Sequence, residues 1–330
     1  RRHCVQITML MLQKPQNGSL RTETRAEEPQ VSAQQRRVTE LKRFSLQLQN
    51  VHPNVLAKHL HRGVLYQDKD VLVINKPYGV PLGVTSISSV LPVLSKMMDG
   101  MKNKSDSQLL PCLGLEKEVA GALLLARREE VVEHILHLHR NNQVQRKYWA
   151  ITVGVPVPSK GVIDIPIIER EVTGSQPHYK MALSPIFKMN EAGDGVSRVR
   201  AHRQAHPAVT KYRVLDSGSG CSLVELEPFT AVKHQLRVHM AFALTCPILG
   251  DHKYSHWSKL APQKLPERVL KKLGLEQSKS RHLPLHLLAR QLTLPGLSQT
   301  EISVSCPLPK YFKQALNQLQ LTAPDKKIHE

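Results

Sequence analysis

Acidic residues, aromatic residues and regularly spaced cysteines are all scarce in this chain of 330 residues. The cysteines are odd in number and form no Cys-x-x-Cys pair; they are Cys4, Cys112, Cys221, Cys246 and Cys306. This spacing excludes a zinc site of the usual type and a disulfide framework, so we predict no metal and a reducing compartment. No apolar run reaches the roughly 18 to 20 residues of a membrane-spanning helix, so we also predict no membrane span.

Two local features resemble reactive sites but have simpler interpretations. Cys112 lies shortly before Glu116 and could serve as a nucleophile, yet a small buried cysteine beside a strand is the favoured interpretation. His134, His137 and His139 fall on one predicted helix, but no acidic or cysteine partner follows at ligand spacing, so we interpret them as surface residues. A Gly-rich phosphate loop is also missing, which argues against a basic metabolic enzyme, and we predict no cofactor.

Positive charge is what the chain has in excess. Lys and Arg number 46 against 27 Asp and Glu, which gives a formal net charge of +19 and a pI near 9.9. Such a charge favours a polyanionic partner, whose phosphates would supply much of the affinity and make it sensitive to salt. A solvated basic surface is the alternative that charge alone leaves open.

The basic residues concentrate in two clusters, which we expect on the face that meets the polyanion. The first lies within 197–215 and contains Arg198, Arg200, Arg203, Lys211 and Arg213. Asp194-Gly195 just upstream indicates a hairpin that could follow a phosphate backbone. The second cluster, within 252–290, reads as a helical insert broken by proline, for which a solvated face is equally consistent. Its basic residues are Lys253, Lys259, Lys264, Arg268, Lys271, Lys272, Lys279, Arg281 and Arg290.

The segment 226–254 concentrates the polar residues that active sites use. A strand pattern over 222–227 ends at Pro228, and apolar residues then recur with helical spacing over 234–244. On that helix His234 and Arg237 lie three apart and share a face. Arg237 would sit in the first turns, where a cation is unfavourable unless an anion answers it. Pairing with a structural carboxylate or with solvent is the plain alternative.

The order of elements predicts a mixed, mainly antiparallel α+β sheet, because strands dominate without regular βαβ alternation. We predict strands at 71–75, 122–126, 148–153, 208–215 and 223–226, and helices at 129–141, 234–244 and 310–320. Residues 1–62 read as a leader and linker, with a basic first part typical of a mitochondrial presequence and a polar part from 27 to 60 that is disordered or loosely helical. We assign 63–305 to one main domain and 306–330 to a C-terminal helix and tail.

Several short motifs, in order, resemble those of the RluA family of RNA pseudouridine synthases. They are Val73-Ile-Asn-Lys-Pro-Tyr-Gly79, Arg146-Lys-Tyr-Trp-Ala150, Ala208-Val-Thr-Lys-Tyr212, Thr230 with His234-Gln-Leu-Arg-Val-His239, the run Pro247-Ile-Leu-Gly-Asp251, and Leu285-His286. Because they cover about 64 to 296, the chain is identified as a member of this family. The resemblance implies the pseudouridine synthase fold, with a central eight-stranded sheet flanked by helices and a basic active cleft across its middle.

The resemblance weakens where the family carries His-Arg-Leu-Asp-Lys, with the Asp as catalytic carboxylate. Here the chain reads Leu113-Gly114-Leu115-Glu116-Lys117, so Glu116 stands in the place of the Asp. The longer side chain leaves two outcomes open. Either the loop at Gly114 retreats to make room, or the protein is a catalytically silent RNA-binding or RNP-assembly module that keeps the fold.

The resemblance also implies roles for particular residues. Glu116, Tyr148 and Arg237 are expected as the catalytic carboxylate, the aromatic face beside the base and the paired cation. Further residues are expected to bind substrate: Lys117, His234, Gln235, Lys76, Arg198, Arg200 and Arg203. A mitochondrial branch acting on mRNA carries the same altered signature. We therefore expect a monomer in the mitochondrial matrix that acts on mRNA or rRNA, in association with an RNP assembly.

Overall fold

The computed structural model describes residues 32–81, 87–99, 108–174, 176–184, 187–189, 192, 196–198, 203–297 and 300–324. The helices are α1 (Ala33–Leu46), α2 (Pro53–Arg62), α3 (Ile87–Asp99), α4 (Glu129–Arg140), α5 (Gln235–Val238), α6 (Glu267–Leu273) and α7 (Lys310–Leu319). The strands are β1 (Val64–Gln67), β2 (Val71–Lys76), β3 (Leu110–Pro111), β4 (Ala120–Ala126), β5 (Gln145–Val153), β6 (Lys160–Asp164), β7 (Ile167–Val172), β8 (His178–Leu183), β9 (Phe187–Met189), β10 (Val196–Arg198), β11 (Val209–Gly218), β12 (Cys221–Pro228), β13 (Leu287–Pro295) and β14 (Glu301–Ser305). Within these ranges, no helix combines the length and the apolar content that a bilayer crossing requires.

The centre of the fold is a sheet of ten strands. Eight of them follow one path, β1-β2-β4-β13-β5-β12-β11-β6, while β3 joins β4 and β14 joins β13. Along that path the pairs are antiparallel, except that β13 runs parallel to β4. This arrangement confirms the predicted mixed, mainly antiparallel α+β class.

Local sequence accounts for the main elements. Strands β2 and β4 are apolar almost throughout and buried on both faces, because helices cover both sides of the sheet there. Strand β12 ends at Pro228 as predicted, since proline cannot donate the next ladder hydrogen bond. Helix α4 buries Val131, Ile135 and Leu138 on one face, which is the spacing of an amphipathic helix.

Residues 33–62 differ from the leader and linker that the sequence suggested. They form α1 and α2, which bury apolar residues in two of the apolar clusters that pack against the sheet. Leu41 of α1 is 2% exposed and Leu60 of α2 is fully buried. The expectation of a disordered or loosely helical segment is therefore wrong for these residues, because short apolar stripes within a polar sequence suffice once a sheet is present to receive them. Residues 1–31 lie outside the described residues.

The C-terminal helix occurs where it was predicted and is part of the core. Tyr311, Phe312 and Leu316 of α7 pack in the same apolar cluster as α1 and α6. The predicted hairpin in the first basic cluster is also present, since β9 and β10 pair antiparallel with Phe187 opposite Arg198. Its expected turn at Asp194-Gly195 lies outside the described residues.

Candidate active site

A cavity of about 430 Å³ opens between the loop before β4 and the segment after β12. Glu116 comes from the first of these, His234 from the second, and Tyr148 from β5 between them. The volume is within the range of small-molecule binding sites. We call it the Glu116 cavity, and it brings together residues from three separate parts of the chain.

The buried guanidinium of Arg237 donates hydrogen bonds to two carboxylates. Its Nε and Nη2 donate to the two oxygens of Asp251, each at 2.9 Å, and its Nη1 donates to Glu116 Oε2 at 2.7 Å. The backbone N–H groups of Lys253 and Tyr254 also donate to Asp251. The anion predicted beside Arg237 is thus present twice, and Glu116 Oε1 receives no hydrogen bond from the described residues.

The two carboxylates differ in protonation. Burial raises the pKa of Glu116, and Arg237 offsets this only in part. Burial acts upward on Asp251 as well, but Arg237 and two backbone N–H groups outweigh it and lower the pKa of Asp251. Asp251 is therefore the permanent counter-ion of Arg237, whereas Glu116 can gain or lose a proton more readily.

His234 has a strained backbone conformation and lies between Tyr254 and Glu116. Its φ of 56° is in the left-handed region, which costs a non-glycine residue about 1–3 kcal/mol. Residues strained in this way cluster at functional sites. This backbone puts Nδ1 in hydrogen-bond contact with the Tyr254 hydroxyl and Nε2 at 3.7 Å from Glu116 Oε2. Burial and the charges of Arg237, Lys253 and Lys233 lower the pKa of His234 to about 3, so the ring is neutral.

The helix that follows His234 is shorter than predicted. Helix α5 has only four residues and continues as a π-helical turn, His239–Ala243. His239 anchors the turn, because its ring nitrogens contact Thr210 Oγ1 and the Ile165 carbonyl. Such π-turns often mark functional sites, and here the turn fixes the segment that carries Arg237.

Tyr148 is buried in the wall of the Glu116 cavity. Its hydroxyl accepts a hydrogen bond from Arg146 Nη1 at 3.3 Å, and Arg146 lines the same cavity. The two residues alternate along β5, which places both on one face of the strand. Arg146 was not predicted as a site residue, although it lies in the same sequence motif as Tyr148.

Two residues expected to bind substrate have structural contacts instead. Lys76 is fully buried, and its ammonium donates to the carbonyls of Pro77, Val80 and Lys117. Gln235 is also buried. Its amide nitrogen donates to Val209 O and Thr210 Oγ1, and its amide oxygen accepts from Thr230 Oγ1 and Val232 N. Because these contacts use up their hydrogen-bonding capacity, both residues position the loops around the cavity.

The remaining predicted residues have varied positions. Lys117 and Arg203 are exposed, and neither lines the Glu116 cavity. Arg198 ends β10, and Arg200 lies outside the described residues. Gly114 lines the cavity mouth, its φ is not in the left-handed region, and a Cβ added there would meet nothing within 4 Å. The conformation of this loop therefore does not require glycine at position 114.

The simpler interpretations of Cys112, His134 and His137 agree with the structure, whereas His139 is half-buried and not a surface residue. Cys112 packs in the apolar cluster under α4, and burial raises the pKa of its thiol to about 12, which disfavours the nucleophilic thiolate. His134 and His137 are exposed on α4. Among the described residues, His, Cys, Asp and Glu form no cluster able to hold a metal ion.

The sheet is mixed but mainly antiparallel, and Glu116 and the buried Arg237 are paired beside it. This arrangement is typical of one class of RNA-modifying isomerase. The family model described as RNA pseudouridylate synthase matches residues 70–242, and the chain belongs to this family.

Three relatives define the similarity further. The chain is 63% identical over 302 residues to "Pseudouridylate synthase RPUSD4, mitochondrial" of Danio rerio, covering 90% of this chain and 84% of the relative. The solved structure of "Human RNA Pseudouridylate Synthase Domain Containing 4" is 51% identical, with a TM-score of 0.74 and coverage of 83% of this chain and 98% of that one. "Mitochondrial mRNA pseudouridine synthase Rpusd3" of Mus musculus is 31% identical over 302 residues, covering 84% of this chain and 83% of the relative.

Proposed function

We propose that this protein converts uridine to pseudouridine in mitochondrial RNA, with Glu116 as the carboxylate that acts on the nucleoside. The observation that carries the proposal is the Glu116 side chain itself. One of its oxygens is held by Arg237, while the other receives no hydrogen bond from the described residues and belongs to a side chain that lines the cavity. A carboxylate braced on one oxygen and open on the other is suited to attack an electrophilic carbon.

The reaction breaks the bond from ribose C1′ to uracil N1, turns the base and joins C1′ to C5. It needs no redox cofactor, because the C5 proton lost and the N1 proton gained balance. Arg237 keeps the reactive carboxylate in place, and Asp251 keeps Arg237 in place in turn. Tyr148 offers an aromatic wall against which the base can turn. We assign its oxygen as the acceptor of the C5 proton, with the hydroxyl's own proton passing to N1. A target uridine must be unpaired or flipped out to reach this cavity.

The relatives' names, which include "mitochondrial", support the proposed cellular setting. We propose that the protein works in the mitochondrial matrix, with the predicted presequence in its first 25 residues, and that it supports translation there as part of an RNP assembly. The mRNA assignment is supported by the 31% identical mouse relative, which is named for that RNA class.

The test of the catalytic assignment uses Glu116→Gln, which keeps the size of the side chain but removes its charge. Turnover on mitochondrial RNA should fall by at least about a hundredfold, while RNA binding stays within about threefold of wild type. Glu133→Gln, exposed on α4, is the matched control and should retain full activity. Equal pseudouridine formation by Glu116→Gln and wild type would disprove the role of Glu116.

The target RNA requires a separate experiment. Pseudouridine should be mapped across mitochondrial transcripts in cells with the wild-type protein, with Glu116→Gln and without the protein. Sites lost in both altered cell lines are targets of turnover. Loss without the protein but full retention with Glu116→Gln would instead favour the silent RNA-binding alternative.

A further inference from the structure

A second cavity, of about 440 Å³, adjoins the Glu116 cavity. His234 lines both cavities. Arg237, Lys253 and Arg281 line the second cavity as well. We call it the Lys253 cavity, and no step proposed above uses it.

The positive charges of this cavity are not balanced. Arg237 is neutralised by Asp251 and Glu116, but Lys253 and Arg281 form no ion pair or side-chain hydrogen bond with the part of the chain that the structure describes. Lys253 is only half-exposed. Burial, Arg237 and Lys233 lower the pKa of Lys253, which means that its charge is held against neighbouring cations. An anion in the cavity would relieve that cost.

Glu118 is the one carboxylate among the cavity's lining residues. Its charge acts on Lys76 and Tyr78, whereas Lys253 responds to Arg237, Lys233, Glu116 and Asp251. Glu118 offsets at most one of the two positive charges of Lys253 and Arg281, so the lining residues keep a net positive charge. Lys42, Arg281 and Lys279 add to this field, since each lowers the pKa of neighbouring His282.

We propose that the Lys253 cavity binds the RNA backbone phosphate next to the target uridine, with Lys253 and Arg281 as its cationic ligands. This inference rests on the proposed function, because it assumes a nucleoside in the Glu116 cavity. Every nucleoside within RNA carries a phosphate on each side of its ribose. Because His234 lines both cavities, a uridine in the Glu116 cavity would bring one of these phosphates toward the Lys253 cavity, where lysine and arginine can bind its oxygens.

Binding can be measured without turnover, using a short single-stranded RNA that contains one uridine. Lys253→Ala and Arg281→Ala should each weaken binding about three- to tenfold and reduce the slope of log affinity against log salt by about one. Lys253→Arg should retain most of the affinity. The matched controls are Lys313→Ala and Arg140→Ala, exposed on α7 and α4, and should change neither quantity. Thermal melting checks that every variant is folded.

The position of the contact is tested with a series of the same RNA in which one phosphate at a time is replaced by a neutral methylphosphonate. At one linkage beside the uridine, Lys253→Ala should cause no further loss, because the charge it binds is already gone. Additive losses at every linkage would overturn the proposal. So would tight binding of inorganic phosphate that Lys253→Ala abolishes without affecting RNA, since the site would then serve a free phosphate.

The two proposals fail differently. If wild type binds RNA with the expected methylphosphonate pattern but Glu116→Gln leaves turnover unchanged, the catalytic assignment falls and the phosphate site stands. If Glu116→Gln abolishes turnover but the linkage series is additive, only the phosphate site falls. Absence of RNA binding by wild type would overturn both.

Discussion

At the scale of single residues, the site depends on one guanidinium shared by two carboxylates with different tasks. Asp251 uses both oxygens on Arg237 and accepts two backbone N–H groups as well. Glu116 uses one oxygen and retains partial exposure, with 26% of its side chain accessible. The division lets Arg237 remain charged and fixed while Glu116 changes its protonation or bonding.

The raised pKa of Glu116 predicts the acid side of the pH profile. In the proposed reaction Glu116 acts as an ionised carboxylate, so activity should appear as pH rises through its folded-state pKa. Burial raises that pKa, so the acid limb of kcat/KM should have its midpoint above the approximately 4.3 of an ordinary glutamate. Initial rates at a series of pH values provide the measurement. A midpoint at or below that of free glutamate would contradict the assignment of this limb to Glu116.

At the scale of elements, the loop that carries Glu116 is tied to the end of β2 by a buried lysine. Lys76 donates to the carbonyl of Lys117, and Gly79 N donates to the same oxygen. The bonds from Lys76 to Pro77 and Val80 close the turn that follows the strand. The buried Lys76 side chain thus orders two loops at once, because its ammonium contacts carbonyls of both.

Lys76→Met should therefore loosen the Glu116 loop as well as destabilise the fold. Losing the contacts to three carbonyls should lower the free energy of unfolding by about 1–3 kcal/mol and reduce turnover. Urea unfolding and initial rates measure the two effects. Lys69→Met, exposed just before β2, is the control. It should change the free energy of unfolding by no more than about 0.5 kcal/mol and leave turnover unchanged.

Lys76 also predicts a pH dependence of stability. Burial lowers the pKa of Lys76 to about 7 in the folded protein, against about 10.4 for a free lysine. Between these values the unfolded chain binds the extra proton, so this group makes the free energy of unfolding rise with pH across that window. The rise should be smaller in Lys76→Met than in wild type, and parallel stability curves for the two proteins would refute it.

At the scale of the whole molecule, the helices outside the matched family region complete the cores and shape the cavities. Phe44 of α1 packs against Tyr78 and Tyr311, with ring centroids 5.1 and 4.7 Å away. Ser45 of the same helix lines the Lys253 cavity. Helix α1 therefore joins the chain's beginning to α7 near its end and contributes to the wall of the proposed phosphate site.

A pair of leucines on α1 tests this role. Leu41 is 2% exposed and Leu46 is 59% exposed, although both belong to one helix. Leu41→Ala should lower the free energy of unfolding by about 2–5 kcal/mol, as for a core leucine, whereas Leu46→Ala should change it by less than about 0.5 kcal/mol. Equal effects in a urea titration would mean that α1 does not pack on the folded domain.

The sequence by itself determined the α+β class, the principal strands and the segments that supply Glu116, Tyr148 and Arg237. These features depend on local information: hydrophobic period, proline positions and short ordered motifs, all of which are readable along the chain. The sequence did not reveal that α1 and α2 belong to the fold. Their apolar stripes are short, and they are recognised only once the sheet that they pack against is known.

Only the tertiary structure decided which polar residues face a cavity and which make structural hydrogen bonds within the protein. Lys76 and Gln235 stand in the same motifs as the residues that line the site, yet their hydrogen bonds close on the protein itself. Asp251 belongs to one of the sequence motifs, but only the folded structure shows that it is the counter-ion of Arg237. A side chain's partners are set by distances across the fold, and those distances join residues as far apart in sequence as Glu116 and Arg237.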